Sequence, residues 1–382
     1  MSISAANQEL LYKHGADLAG LVSFDGEDAP NLLPYATLTA ARRAGGDGDL
    51  PAVIGVYEWQ KAPLAVLVDG DALNGDEERL QRIRRIVAMR GDAPYIAVLR
   101  PGGLTVHFVA LDGVSWRDSD IAADCGAGTF PVLANRRPKA ATDSKAWVTQ
   151  VVLDLLSGSI DALIRLGLDN NDAVSLTGRA LFARFLADRD LLPAPQFPTD
   201  PGEQAKIFDD AETAAKTSRW LDQTFNGDFL PMSPGLFDRL PGDAFSTLGD
   251  IMHRARDSQL SLGWEKKWIH LDFAHIPVGV LSQAYEAYMR THQSDSQRDD
   301  GSFYTPRPIA ELMTRAAFAA LRADGDAAAA KVLDPAAGAG VFLLTTFREL
   351  VAERWRRAGR RPDTPTLRNI LYDQITGFDI NE

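Results

Sequence analysis

The sequence predicts a mixed chain, α/β in parts and α in another, and three observations carry that prediction. Apolar runs of strand length occupy the first 140 residues, apolar stripes at helical spacing occupy 141–298, and a strand, a glycine-rich turn and a helix follow one another at 331–344. The expected organisation is an N-terminal α/β domain over 1–140, a central helical domain over 141–298 and the start of a parallel, doubly wound sheet over 299–382. A chain of 382 residues, 45% hydrophobic and 24% charged, can bury two or three such cores.

In the first part, strands are expected at Ala52–Tyr57 and Leu64–Val68 after a Gly/Asp-rich break at Gly45–Asp49. A second pair, Tyr95–Leu99 and Leu104–Val109, flanks the turn Pro101-Gly102-Gly103 as a hairpin. One helix lies between the pairs. Its apolar positions Leu80, Ile83, Ile86 and Val87 face a core, Arg79, Arg82, Arg85 and Arg90 are expected outside, and Asp76 or Asn74 can cap it. The sequence Glu58-Trp59-Gln60-Lys61 is one residue too long for the Glu-x-Lys of a nuclease site, because in a strand the extra residue turns the lysine to the opposite face.

Helical periods begin near Ala141. Trp147, Val151, Val152, Leu155 and Leu156 form one stripe, and Leu181, Phe182, Phe185 and Leu186 form another within Gly178–Leu192, which closes at Pro193. Leu281, Tyr285, Tyr288 and Met289 share a face of a later helix, and a polar linker, Thr291–Asp300, follows it. Lys266 and Lys267 beside Trp264 and Trp268 read either as a phosphate-and-stacking patch or as core aromatics with solvated lysines.

The last part carries the chemistry. Lys331–Asp334 is a short apolar strand, Pro335–Gly340 a loop of small residues, and a helix starts near Val341. Gly338 and Gly340 can adopt positive φ, and the helix start offers unpaired N–H groups and the positive end of its dipole to an anionic group. A P-loop is excluded, because Gly340 is followed by Val341 and Phe342 and not by Lys-Ser/Thr. Gly377–Asn381 reads as a second strand that places Asp379 beside the glycine loop, where a carboxylate can accept bonds from ribose hydroxyls. Its distance along the chain exceeds the roughly twenty residues of a dinucleotide fingerprint. That spacing disfavours a nicotinamide-dependent oxidoreductase.

Three motifs occur in order: Gly301-Ser302-Phe303-Tyr304-Thr305-Pro306, Asp334-Pro335-Ala336-Ala337-Gly338-Ala339-Gly340-Val341-Phe342 and Gly377-Phe378-Asp379-Ile380-Asn381. Together they resemble the adenine-N6 DNA methyltransferases of type I and type IIG restriction-modification and related phage-defence systems, over about 150–382. The resemblance implies a Rossmann-like S-adenosylmethionine-dependent methyltransferase sheet at the end of the chain. By the same resemblance Tyr304, Thr305 and Pro306 cover S-adenosylmethionine, Asp334 and the loop with Ala336, Gly338 and Gly340 hold its methionine part, Phe342 packs behind the loop, and Asp379 takes the ribose. Double-stranded DNA is the implied partner of the complete protein, with other restriction or defence subunits as further candidate partners.

The resembling enzymes orient adenine with an Asn/Asp-Pro-Pro-aromatic loop, and no such tetrapeptide occurs in these 382 residues. The chain is therefore expected to be a truncated enzyme or one piece of a split one, inactive alone; a non-catalytic scaffold subunit of a defence complex is the alternative. The net charge of −12 argues against this piece as the main DNA-gripping surface. The single cysteine, Cys125, excludes an internal disulfide and fits a reducing compartment, with the cytoplasm as the default. No run approaches the roughly eighteen apolar residues of a membrane helix.

Overall fold

A computed structural model describes residues 3–25, 29–44, 50–109, 111, 120–121, 126–135, 148–225, 230–253, 271–292, 305, 307–338 and 340–379. The chain is α/β, with two compact units: residues 1–147 together with 278–382, and residues 148–277. Cys125, Trp147, Trp264, Lys266, Lys267 and Trp268 lie outside the described residues.

The first unit opens with α1 (Ala5–Lys13), β1 (Leu21–Ser23), a 3-10 turn at Pro30–Tyr35 and α2 (Ala36–Ala44). Then come β2 (Val53–Trp59), β3 (Ala62–Asp69), α3 (Glu77–Arg90), β4 (Tyr95–Arg100), β5 (Gly103–Phe108), β6 (Asp120–Ile121) and α4 (Thr129–Asn135). The strands form one six-stranded sheet in chain order, antiparallel except that β3 and β4 run parallel with Leu67 opposite Ala97. A parallel pair needs a crossover, and α3 supplies it. Both faces of the central strands are buried, with Ala65 and Leu67 on one side and Val66 and Val68 on the other. Leu10 and Leu11 of α1 and Phe130 and Leu133 of α4 join Leu67, Ala97 and Val106 in one core.

Asp76 caps α3 by accepting the Arg79 N–H at 3.0 Å, and Leu80, Ile83, Ile86 and Val87 are buried as expected. Arg90 is not outside. It is 3% exposed, pairs with Asp92 at 2.5 Å, and donates to the Thr37 hydroxyl and the Pro34 carbonyl. Arg84 is buried as well and donates to the Phe108 carbonyl at 3.0 Å. Helical spacing assigns these two arginines a face, but acceptors at that face draw them inward. Glu58 accepts the Tyr35 hydroxyl at 2.6 Å, and Gln60 and Lys61 form the left-handed turn after β2.

The same unit continues with α10 (Val278–His292), α11 (Arg307–Asp324), β7 (Val332–Asp334), α12 (Val341–Ala358), α13 (Thr364–Asn369), a π turn at Ile370–Gln374 and β8 (Ile375–Gly377). β7 and β8 pair in parallel, Asp334 opposite Gly377. Phe318, Leu350, Val351 and Ile370 make their core, and Leu33 of the amino-terminal 3-10 turn packs against it.

The second unit is helical: α5 (Val148–Arg165), α6 (Asn170–Asp188), α7 (Pro201–Gln204), α8 (Ala211–Thr224) and α9 (Gly242–Met252). α6 is its centre, buried along most of its length and packed on α5 and α9. Two fully buried arginines anchor the surrounding loops to α6. Arg179 pairs with Asp222 at 2.6 Å and donates to the Ser218 and Leu230 carbonyls. Arg184 donates to the carbonyls of Ile251 and Leu271 with its guanidinium over the Phe273 ring, and Asp188 accepts the Phe273 N–H at 2.8 Å. Buried cations persist when carbonyls and carboxylates surround them.

Among the described residues no helix is long and apolar enough to cross a membrane. None of their His, Cys, Asp and Glu side chains form a group of three or more that could hold a metal ion.

Candidate functional site

The site is built by three short backbone runs. β7 ends at Asp334, the small-residue loop turns through Gly338 at φ +51° and Gly340 at φ +78°, and α12 begins at Val341. The run after β8 then lies along that loop. The Phe378 N–H donates to the Asp334 carbonyl at 2.9 Å and the Ala337 N–H donates to the Phe378 carbonyl at 2.8 Å. The next residue, Asp379, accepts the Gly338 N–H with Oδ2 at 2.7 Å. The strand expected at Gly377–Asn381 thus ends at its first residue, and Asp379 reaches the loop two residues beyond β8. Tight packing at Gly377 guides this path, since a Cβ there would lie 2.7 Å from Leu343 Cδ1 and 3.2 Å from Ala337 Cβ.

Of the predicted site residues, Asp334, Ala336, Gly338, Gly340 and Asp379 come together around this loop. Phe342 follows in the first turn of α12, half-buried. Thr305 is half-buried, while Phe303, Tyr304, Pro306 and Asn381 lie outside the described residues.

The loop amides are taken up within the loop and by the run after β8. The Ala336 N–H donates to Asp334 Oδ1 at 3.2 Å, the Gly340 N–H to the Ala337 carbonyl at 2.8 Å, and Ala337 and Gly338 are bonded as described above. Among the described residues, the donors that remain for an anionic group are the first N–H groups of α12, whose N-cap residue Gly340 makes no side-chain capping bond. A glycine in place of Ser, Thr, Asp or Asn before a long helix is the sequence signal for this.

The Asp334 carboxylate is the other open valence. Oδ1 is engaged by Ala336, whereas Oδ2 is buried and has no hydrogen-bond partner among the described residues. An unmet buried acceptor of this kind costs about 1–3 kcal/mol, and more when charged, which a donor or cation placed against it recovers. Beside it, a Cβ at Gly340 would meet no atom within 4 Å, so open space adjoins the loop and the glycine is required there by its left-handed φ.

An ion-pair network holds α11 against α12. Glu311 sits 2.8 Å from Arg307, 3.7 Å from Arg315 and 3.9 Å from Arg348, and Arg315 also donates to the Lys61 carbonyl at 2.7 Å. Burial, aided by the neighbouring Arg307 cation, pushes the Arg348 guanidinium down to about 10 against the opposing pull of Glu311.

A strand, a left-handed glycine turn and an uncapped helix start, with an acid from the run just after the adjoining parallel strand, define an α/β ligand-loop segment. Residues 278–372 match the family described as N-6 DNA Methylase, a span from α10 to just before β8. The match covers less than half of the chain, and it is to the family that the ordered motifs resemble. Asp379 lies just past the matched span. No curated protein matches the chain. Two solved structures align with it at low similarity. The cryo-electron microscopy structure of a DrdV–DNA complex is 15% identical, with a TM-score of 0.31, over 85% of this chain and 30% of that one. The type IIG restriction endonuclease BpuSI is 12% identical, with a TM-score of 0.31, over 92% of this chain and 38% of that one. The chain thus spans about a third of the length of each.

Proposed function

We propose that this chain binds S-adenosylmethionine and serves as the donor-binding part of an adenine-N6 DNA methyltransferase of a restriction-modification or phage-defence system, acting in the cytoplasm. The observation that carries the reading is the buried Asp334 Oδ2, partnerless among the described residues, beside an open glycine turn and an uncapped α12, in the segment matched to the N-6 DNA methylases.

The residues fit that cofactor. Asp334 Oδ2 suits its ammonium group, the first amides of α12 suit its carboxylate, and Asp379, exposed at the loop, suits ribose hydroxyls. Thr305, with Tyr304 and Pro306 beside it in sequence, would cover the cofactor, and Phe342 would support the loop from the first turn of α12. When bound, S-adenosylmethionine supplies an electrophilic methyl group on sulfur. In this reading the residues of this chain bind and orient the donor. Double-stranded DNA supplies the adenine, and an Asn/Asp-Pro-Pro-aromatic loop, which this sequence does not contain, orients it.

Equilibrium dialysis of labelled S-adenosylmethionine against the chain tests the proposal, with S-adenosylhomocysteine and nicotinamide dinucleotide as competitors. Saturable binding displaced by S-adenosylhomocysteine alone is expected. Displacement by the dinucleotide would replace this reading with an oxidoreductase, and absent binding by a folded chain would favour a scaffold role.

A further inference from the structure

Sixteen residues at the far end of α12 invert the charge of the chain. Between Glu353 and Arg368 there are six arginines and two carboxylates, in a sequence whose net charge is −12. The fold gathers four of these arginines around one cleft. Arg354 and Arg357 lie one turn apart on α12, Gly359 ends the helix at φ +66°, and the chain turns so that Arg360 and Arg361 line the same space. The cleft has a volume of about 410 Å³, and Asp363 and Thr366 also line it.

The carboxylates nearby are fewer than the arginines, so the patch keeps a positive excess although several of its guanidinium groups are engaged. Asp363 caps α13 by accepting the N–H and hydroxyl of Thr366, at 3.0 and 2.5 Å. Asp326 pairs with Arg357, and Glu353 pairs with Arg322 and Arg356. Arg354 donates through Nη2 to the neutral Gln374 side chain at 3.0 Å, while its Nε is buried with no hydrogen-bond partner among the described residues. The Arg361 guanidinium sits 6.0 Å from the Trp355 ring, which buttresses it.

We propose that this cleft is a second ligand site, separate from the glycine-loop pocket, that takes a phosphate group between Arg354, Arg357, Arg360 and Arg361. Arginine forks match phosphate oxygens in pairs, and four of them around one concavity suit a multiply charged anion better than a single carboxylate. The cleft volume falls in the range of small-ligand sites, about 300–1,000 Å³. Arg354 stands thirteen residues into α12, so roughly 20 Å of helix separates it from the loop, beyond the reach of a cofactor held there. The phosphate belongs either to a nucleotide or to a nucleic-acid backbone.

The test titrates the full chain at low salt with adenosine triphosphate, with inorganic pyrophosphate and with a fluorescein-labelled DNA duplex. The double variant Arg354→Gln/Arg360→Gln is compared with Arg82→Gln, an exposed arginine of α3. The double variant should weaken phosphate binding at least tenfold, and for DNA it should reduce the salt slope by about two. Arg82→Gln should change neither, and S-adenosylmethionine binding should be the same in all three. Tight binding of adenosine triphosphate with weak duplex binding assigns a nucleotide, and the reverse assigns a backbone. If Arg354→Gln impairs folding, the exposed pair Arg360→Gln/Arg361→Gln replaces it, with the same tenfold loss expected. The proposal is overturned if no probe binds, or if the double variant and Arg82→Gln weaken binding equally.

Discussion

Glu311→Gln should destabilise the first unit out of proportion to the atoms it changes. The wild-type carboxylate, about one-fifth exposed, stands between three guanidinium groups, Arg307 at 2.8 Å, Arg315 at 3.7 Å and Arg348 at 3.9 Å. The short bond to Arg307 is charge-assisted and contributes about 1.5–3 kcal/mol. Each of the longer pairs adds a few tenths to about 1 kcal/mol, discounted for solvent. The amide retains one acceptor for Arg307 but not the charge, so a loss of about 2–3 kcal/mol is expected. Urea unfolding followed by tryptophan fluorescence measures it. Arg348→Met supplies the second edge of a double-mutant cycle. Alone it should be close to neutral, because Arg348 is cationic at pH 7 in both states and carries a burial cost in the folded one. In its presence Glu311→Gln should cost at least 0.5 kcal/mol less. A Glu311→Gln loss below about 0.5 kcal/mol, or full additivity with Arg348→Met, would refute this account of the network.

Further outcomes follow from the same geometry. Arg184→Met strands the Ile251 and Leu271 carbonyls and deprives Asp188 of its guanidinium, so a loss of about 3–5 kcal/mol is expected in denaturant titration, and a loss under 1 would contradict the anchoring role. Gly377→Ala places a methyl group 2.7 Å from Leu343 Cδ1 and 3.2 Å from Ala337 Cβ; the leucine end can swing aside, so a cost of at most about 1 kcal/mol is expected in denaturant titration, and a larger loss would show that this strand passage cannot relax. Tyr35→Phe removes the hydroxyl held by Glu58, and burial raises the wild-type phenol well above its ordinary value. Its folded pKa exceeds the unfolded one, so the stability advantage over Tyr35→Phe is full below about pH 10 and falls as pH rises further, by up to about 1.4 kcal/mol per pH unit. Melting curves of both proteins from pH 8 to pH 11 check the sign.

Local patterning made much of the fold legible. The apolar runs before and after α3, the Pro101-Gly102-Gly103 turn, the Asp76 cap and the start of α12 after Gly340 all depend on neighbours within a few residues, and all are found. What was not legible depends on partners far along the chain. Arg90 reads as a surface residue on its helix; Asp92 is a local partner, but the other acceptors that draw it inward stand more than fifty residues earlier, at Pro34 and Thr37. The packing of Leu33 against the core of α11 and α12 has no local signature either. At the candidate site the sequence brought out the glycines and the two acids, but it could not show that Phe378 and Asp379 fold back along the loop and engage its amides. That engagement takes up the loop amides and leaves an anionic group to the first turn of α12, which the sequence already offered. The arginines of Gly178–Leu192 follow the same rule, since their role as loop anchors depends on carbonyls up to eighty-seven residues away.

The most direct measurement is calorimetric titration of S-adenosylmethionine into the wild-type chain and into Asp334→Asn, side by side. The account predicts saturable wild-type binding and a loss of about 1.5–3 kcal/mol in the variant, a ten- to hundredfold weaker affinity, because the amide keeps the shape of Asp334 but not the charge that meets the ammonium group. Equal affinity in the two proteins, or absent binding by a folded wild-type chain, would contradict it.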